Sequence, residues 1–161
     1  MRLALFQPDI AGNVGTVLRM AACLGVGVDL IEPMGFAYGD RALTRAGMDY
    51  LAHAEVARHT DWIAFERQVT GRIVLLTTAG ATPLPRARFD AGDVLLLGSE
   101  SAGVPPWVHA RADLGVCVPM RSGLRSLNVA VAGAIVLGEA LRQTGWPGWD
   151  DPSSFAAGPA C

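Results

Sequence analysis

Lysine is absent from this chain of 161 residues, and all 13 of its basic side chains are arginine. Arginine suits bidentate phosphate contact and stacking on bases, although genomic base composition produces the same usage. The formal net charge is −2, which excludes a global basic field as the sign of a nucleic-acid partner and shifts the weight to local clusters. Cysteine is scarce. Cys23, Cys117 and Cys161 have no CxxC spacing, so a disulfide framework and a zinc site are both excluded and a reducing compartment is expected. Long apolar runs are missing too: the longest, Val129 to Leu137, is too short to cross a bilayer. Met1 to Phe6 lacks the long apolar region of a signal peptide, so the expectation is a soluble cytoplasmic protein with no membrane contact. His53, His59 and His109 stand far apart without companions and read as surface or capping residues, leaving no metal site. No strand is followed by GxGxxG, and no GxxxxGK[ST] occurs; Gly25-Val26-Gly27 precedes a strand instead of following one.

What the chain does have is apolar bulk, 51% hydrophobic against 17% charged, which exceeds the needs of a small monomer and points to a homo-oligomer. Leu3 to Phe6 reads as a buried strand, and the segment that opens at Gly12-Asn13 as a helix with Asn13 as its cap and Gly25 as its stop. Val14, Val17, Leu18, Ala21 and Leu24 form its apolar stripe, and Arg19 lies nearly opposite. Val26 to Ile31 completes a βαβ unit, which argues for a parallel sheet. A short helix from Asp40 to Ala46 carries Arg41 and Arg45 on one face, and Asp61 caps a helix from Trp62 to Gln68. Further strands are expected at Ile73 to Thr77, Val94 to Leu97 and Gly115 to Val118, with a short helix at Pro106 to Ala110. Five or six strands alternating with helices make a mostly parallel α/β sheet covered on both faces. The last helix, Leu127 to Thr144, is apolar all round in its first turns and is expected to be buried on every side. Its small-residue stripe, Ala130, Ala134 and Gly138, is either sheet contact or a subunit interface. Residues 1–149 form one domain, and Asp150 to Cys161 a loose tail.

Three strand ends carry Gly-rich or polar loops: Leu76-Thr77-Thr78-Ala79-Gly80, Leu97-Gly98-Ser99-Glu100 and Val118-Pro119-Met120. Ligands bind beyond the carboxyl ends of strands in open parallel sheets, so together these loops favour a small polar ligand. The third runs through Arg121-Ser122-Gly123-Leu124-Arg125 to Ser126, read as the cap of the last helix.

These segments carry a family resemblance. Asn13-Val14-Gly15-Thr16-Val17-Leu18-Arg19 resembles the first signature of the SPOUT RNA ribose methyltransferases, Leu97-Gly98-Ser99-Glu100 through Gly103-Val104-Pro105 the second, and Ser126-Leu127-Asn128 with its upstream loop the third. Ile31 to Phe36, Arg45 to Tyr50, Arg58-His59 and Gly145 to Gly148 are similar to one subfamily, the tRNA wobble-position (cytidine/uridine 34) 2′-O-methyltransferases. The resemblance implies an α/β domain with a C-terminal deep trefoil knot, a homodimer, and S-adenosylmethionine held in the knot. Carried over by position, it implies cofactor contacts from Leu76, Thr77, Gly98, Glu100, Val118, Met120, Ser126 and Leu127. It also implies a catalytic set of Arg19, Asn13, Glu100, Ser126 and Asn128.

A guanidinium stays protonated at any ordinary pH, so Arg19 is expected to orient the ribose and stabilise developing oxyanion charge, with a substrate phosphate or water taking the proton. Arg41, Arg45, Arg58, Arg121 and Arg125 are the expected contacts to a tRNA anticodon loop. Two positions depart from the family pattern. Thr16 replaces a common asparagine and should still support the cofactor or its loops, while Ala102 replaces a common arginine and loses an RNA or partner contact. The rival readings are the same transfer to another RNA nucleotide, and a knotted module that binds RNA without turnover.

Overall fold

The computed structural model describes residues 1–38, 41, 43, 45, 50, 53–79 and 81–148. The expected tail, most of Asp40 to Ala46 and of Gly47 to Tyr50, and Gly80 lie outside the described residues. Seven strands form one sheet: β1 (Arg2–Phe6), β2 (Gly27–Ile31), β3 (Val56–His59), β4 (Ile73–Leu76), β5 (Thr82–Pro83), β6 (Val94–Leu97) and β7 (Leu114–Cys117). Their order is β3-β2-β1-β6-β4-β7-β5, and every pairing between them is parallel. Among the described residues the continuous α-helices are α1 (Ala11–Leu24), α2 (Trp62–Glu66), α3 (Pro106–Arg111) and α4 (Val129–Thr144).

A parallel sheet needs cover on both faces, and the alternation of side chains along each strand supplies two cores. Leu3 and Leu5, Val28 and Leu30, and Leu95 and Leu97 join α1 and α4 on one face. Ala4 and Phe6, Ile73 and Leu75, and Val94 and Leu96 meet Trp62 and Phe65 of α2 and Val108 of α3 on the other. Val136 and Leu137 of α4 are fully buried, each contributing about 1.5–3 kcal/mol. Gly133 lets α4 approach β6, because a Cβ there would stand 2.9 Å from Leu97 Cδ2.

Several expectations are corrected. β3 and β5 extend the sheet beyond five or six strands; β3 was hidden in the polar run Arg58-His59, where only backbone pairing to β2 makes a strand. The cap position of α1 is Ile10 with no side-chain cap bond, because the Asn13 amide is engaged elsewhere; Gly25 does stop the helix, at φ 67°. Asp61 caps α2, accepting from the Ala64 N–H at 2.7 Å, but the helix ends at Glu66. Asn128, not Ser126, caps α4, whose first residue is Val129.

Nor is α4 buried on every side. Val131 and Ile135 are 48% and 41% exposed, Ala134 lies on the same open face, and a Cβ on Gly138 would meet nothing within 4 Å. His59 is not at the surface either: it is buried, its Nε2 sits 2.9 Å from Asp29 Oδ1, and its ring packs edge-on against Phe65. Arg2 closes that cluster with charge-assisted bonds to Asp29 and Glu55.

Candidate functional site

Chain order and strand order part company at β6, which inserts between β1 and β4. Beyond the carboxyl ends of β4, β6 and β7 the molecule opens into a cavity of about 690 Å³, where such sheets hold ligands. Leu76 and Thr77 reach it from β4, Gly98 and Glu100 from β6, and Val118, Met120, Ser126, Leu127 and Asn128 from the segment after β7. Asn13, in the first turn of α1, completes the wall. The three loops singled out by sequence therefore surround one space.

Glycine chemistry shapes the middle loop. Ser99 and Gly103 exchange backbone hydrogen bonds at 3.0 and 2.9 Å, which folds the chain back on itself, with Gly103 at φ 67°. A Cβ on Gly98 would lie 2.6 Å from the Gly103 carbonyl carbon, so only glycine permits this closure.

A relay of polar groups ties the signatures together. Glu100 accepts from the Asp9 N–H through Oε2 at 2.9 Å and from Asn13 Nδ2 through Oε1 at 2.8 Å. Asn128 Nδ2 donates to Asn13 Oδ1 at 3.0 Å, while Asn128 Oδ1 accepts from the Ala130 and Val131 N–H groups at 2.9 and 3.3 Å. One carboxylate and two amides thus lock the β1–α1 turn, the β6 loop and the start of α4 into one frame. Glu100, with both oxygens engaged in these bonds, also lines the cavity.

Asp9 escaped the sequence reading. Its Oδ2 accepts from the Ser101 N–H at 3.0 Å and hydroxyl at 2.5 Å, clamping the far side of the β6 loop. Those bonds hold its carboxyl below the usual range. The only sequence signal was a polar residue after the strand-ending Gln7-Pro8. His109, expected at the surface, also lines the cavity from the last turn of α3.

The arginines are placed differently. Arg19, Arg41, Arg45, Arg58, Arg121 and Arg125 are exposed, and none lines the cavity. Arg19 lies over the Tyr50 ring, 5.1 Å from its centroid. Arg121 and Arg125 stand in the loop that leads from β7 to the cavity wall. Arg58 is held by Glu32 at 2.5 Å and stacks on Tyr38 at 4.5 Å, so a phosphate must compete for it. Thr16 stays out of the cavity, its hydroxyl donating to the Gly12 carbonyl at 2.9 Å, so its expected support of the cofactor is not made directly. Ala102 lines the cavity without a long side chain. Among the described residues no group of three or more His, Cys, Asp or Glu is arranged to hold a metal, and no helix is long and apolar enough to cross a membrane.

A wholly parallel sheet with a glycine-built cavity at its strand ends defines an α/β protein that binds a compact, partly polar ligand. The pattern of the SpoU rRNA Methylase family matches residues 1–138, and the chain belongs to that family. A tRNA (cytidine(34)-2′-O)-methyltransferase of Ancylobacter novellus is 53% identical over 148 residues, covering 90% of this chain and 94% of its own. A solved structure described as giving insights into the 2-OH methylation of C/U34 on tRNA superposes with a TM-score of 0.85 at 41% identity, over 88% of this chain and 94% of the other. An AdoMet-bound rRNA methyltransferase from Sinorhizobium meliloti superposes with a TM-score of 0.78 at 29% identity, over 88% of this chain and 55% of that one.

Proposed function

We propose that the protein transfers the methyl group of S-adenosylmethionine to the 2′-oxygen of the ribose at wobble position 34, cytidine or uridine, of tRNA. The observation that carries this reading is the convergence of the three strand-end loops, joined by Asn13 of the first signature, on one cavity of about 690 Å³. The activity of the Ancylobacter relative and the C/U34 methylation that the solved structure concerns support the choice of tRNA over another RNA. The cavity fits the cofactor. Leu76, Leu97, Val116, Val118 and Met120 offer apolar walls for a flat base, and Asn13, Thr77, Ser99 and Ser126 add polar groups for a sugar. When bound, the cofactor supplies an electrophilic methyl group on a sulfonium centre.

The residues of this chain do the rest. Leu76, Thr77, Gly98, Val118, Met120, Ser126 and Leu127 hold the methyl donor, and Glu100, Asn13 and Asn128 fix the loops that present it. Arg19 lies outside the cavity wall, so its part is with the substrate: its donors orient the ribose and stabilise charge growing on the 2′-oxygen. The proton leaves to a substrate phosphate or water, since a guanidinium cannot accept it. Arg41, Arg45, Arg121 and Arg125, with Arg58 after exchange of Glu32, meet the phosphates of the anticodon loop.

The exposed face of α4, Val131, Ala134, Ile135 and Gly138, supports a homodimer. Residues 1–149 act as one knotted domain with residues 150–161 as a tail, working in the cytoplasm where tRNA is found.

Transfer of labelled methyl from S-adenosylmethionine to total tRNA, followed by nucleoside analysis, tests the reading. Label in 2′-O-methylcytidine or 2′-O-methyluridine at position 34 is expected. Label at another nucleotide, or none with S-adenosylhomocysteine bound, would overturn it in favour of the rival substrate or of a non-catalytic module.

A further inference from the structure

The cavity mouth breaks a local rule. The residue at the N-cap of α1 is Ile10, whose side chain makes no cap bond, at a position where Ser, Thr, Asp or Asn would accept from the first-turn N–H groups. Broken local rules concentrate at functional sites. Ile10 also lines the cavity and is 50% exposed. Among the described residues of the wall, Leu127 is the other large apolar side chain that is exposed; Leu76, Val118 and Met120 are half-buried, and Leu97 and Val116 are buried. Apolar surface therefore runs from the floor of the cavity to its lip, where a substrate arrives.

Ile10 is also held stiffly. Its neighbour Asp9 donates its N–H to Glu100 and grips Ser101 through its carboxylate. The Ile10 carbonyl accepts from the Asn13 and Val14 N–H groups at 3.0 and 3.3 Å, and Asn13 is in turn tied to Glu100 and Asn128. A β-branched side chain on so pinned a backbone has little rotamer freedom left to lose when a ligand rests on it.

We propose that Ile10 is a specificity-determining contact for the reacting nucleotide, resting against the flat of its pyrimidine ring while the ribose 2′-oxygen enters the cavity. The inference rests on the methyl transfer to position 34 proposed above and names how that site meets the base. Cytosine and uracil share a ring but exchange donor and acceptor along the pairing edge. A site that hydrogen-bonds such an edge rejects the wrong partner by orders of magnitude, whereas an apolar contact discriminates weakly. Contact with the face of the ring is blind to the exchange, because every base has such a face. Ile10 thus accepts both pyrimidines, and a polar cap residue in its place would trade that contact for helix stability.

Steady-state methylation by the full chain tests this on two tRNA substrates that differ only in carrying cytidine or uridine at position 34, with Ile10→Leu, Ile10→Ala and Ile10→Ser. Thermal melts and calorimetry with S-adenosylhomocysteine accompany each variant. Ile10→Leu is expected to keep kcat/KM for tRNA within about twofold, and Ile10→Ala and Ile10→Ser to lose about three- to tenfold, as removal of a half-covered aliphatic contact implies. The loss should be equal for the two substrates, and affinity for S-adenosylhomocysteine should hold within about twofold. Ile10→Ser, which supplies the missing cap, should melt at or above the parent temperature while turning over tRNA less well, a split that a merely structural role would not produce.

Unequal losses on the cytidine and uridine substrates would overturn the proposal, since they would mean that the edge of the base is read. Unchanged kcat/KM in Ile10→Ala would do the same, as would losses that track a fall in Tm in both variants. A matching fall in S-adenosylhomocysteine affinity would set Ile10 against the methyl donor instead of the base. Absence of label at position 34 with the parent protein would overturn the proposed function itself, and this inference with it.

Discussion

Replacing Asn128 by alanine removes three hydrogen bonds at one point: two caps on the first turn of α4 and the amide link to Asn13. Loss of an N-cap costs about 0.5–2 kcal/mol, and the link, being exposed, adds about 0.5 kcal/mol. The sum is about 1–2.5 kcal/mol, and a domain of this size loses roughly 2–4 °C of Tm per kcal/mol, so a fall of about 2–10 °C is expected in thermal melts. The same substitution frees Asn13 from one of its two partners and leaves Glu100 to hold the frame with Asn13 and the Asp9 N–H alone. Affinity for S-adenosylhomocysteine, measured by calorimetry, should therefore fall along with stability. Asn128→Ser separates the two effects, because a serine caps the helix but cannot donate to Asn13 as the amide does. It should recover most of the Tm and little of the affinity. A double-mutant cycle with Asn13→Ala is expected to show coupling of about 0.5–1 kcal/mol, as for residues in one network. If Asn128→Ala melts within about 1 °C of the parent, or if the cycle is strictly additive, the relay is not the frame argued for it.

Gly98→Ala places a methyl group 2.6 Å from the Gly103 carbonyl carbon, so the β6 loop must open; overpacking of about 1–3 kcal/mol and at least a tenfold loss of S-adenosylhomocysteine affinity are expected by melting and calorimetry. Ile135→Asp puts a charge on the open face of α4 while its buried face is untouched; light scattering should report a folded monomer, and an unchanged dimer would exclude this face as the interface. The Asp9 carboxyl is held below its ordinary value by the Ser101 hydroxyl and N–H. Its contribution is accordingly complete above about pH 4 and lost as pH falls through the lowered folded value. Asp9→Asn should thus lower Tm at pH 7, by a margin that shrinks as pH falls through the lowered folded value; a difference constant with pH would count against the clamp.

Much of the sheet was legible along the chain, because β1, β2, β4 and β6 are short apolar runs that a doubly covered parallel sheet demands. Gly25 announced the end of α1 and Asp61 the start of α2, since both act through their own backbone neighbourhood. β3 was not legible: it carries Arg58 and His59, and the burial of His59 depends on Asp29, distant in sequence. Asn13 looked like a cap and is a bridge, because its amide N–H donates to Glu100 and its amide oxygen accepts from Asn128, partners 87 and 115 residues away along the chain. Asp9 was invisible for the same reason, its partner Ser101 being equally remote.

The order of residues by itself determined a parallel α/β domain, its likeness to the ribose methyltransferases and the three loops from which a site is built. The domain and the loops rest on hydrophobic period and glycine placement, which act within a few residues, and the likeness rests on the signature residues themselves. Tertiary structure decided that β6 inserts between β1 and β4 and that the three loops enclose one cavity. It also decided that Arg19 stands outside that cavity against Tyr50 and that α4 leaves an apolar face open. Such relations are set by which distant surfaces bury each other, and no local periodicity encodes that.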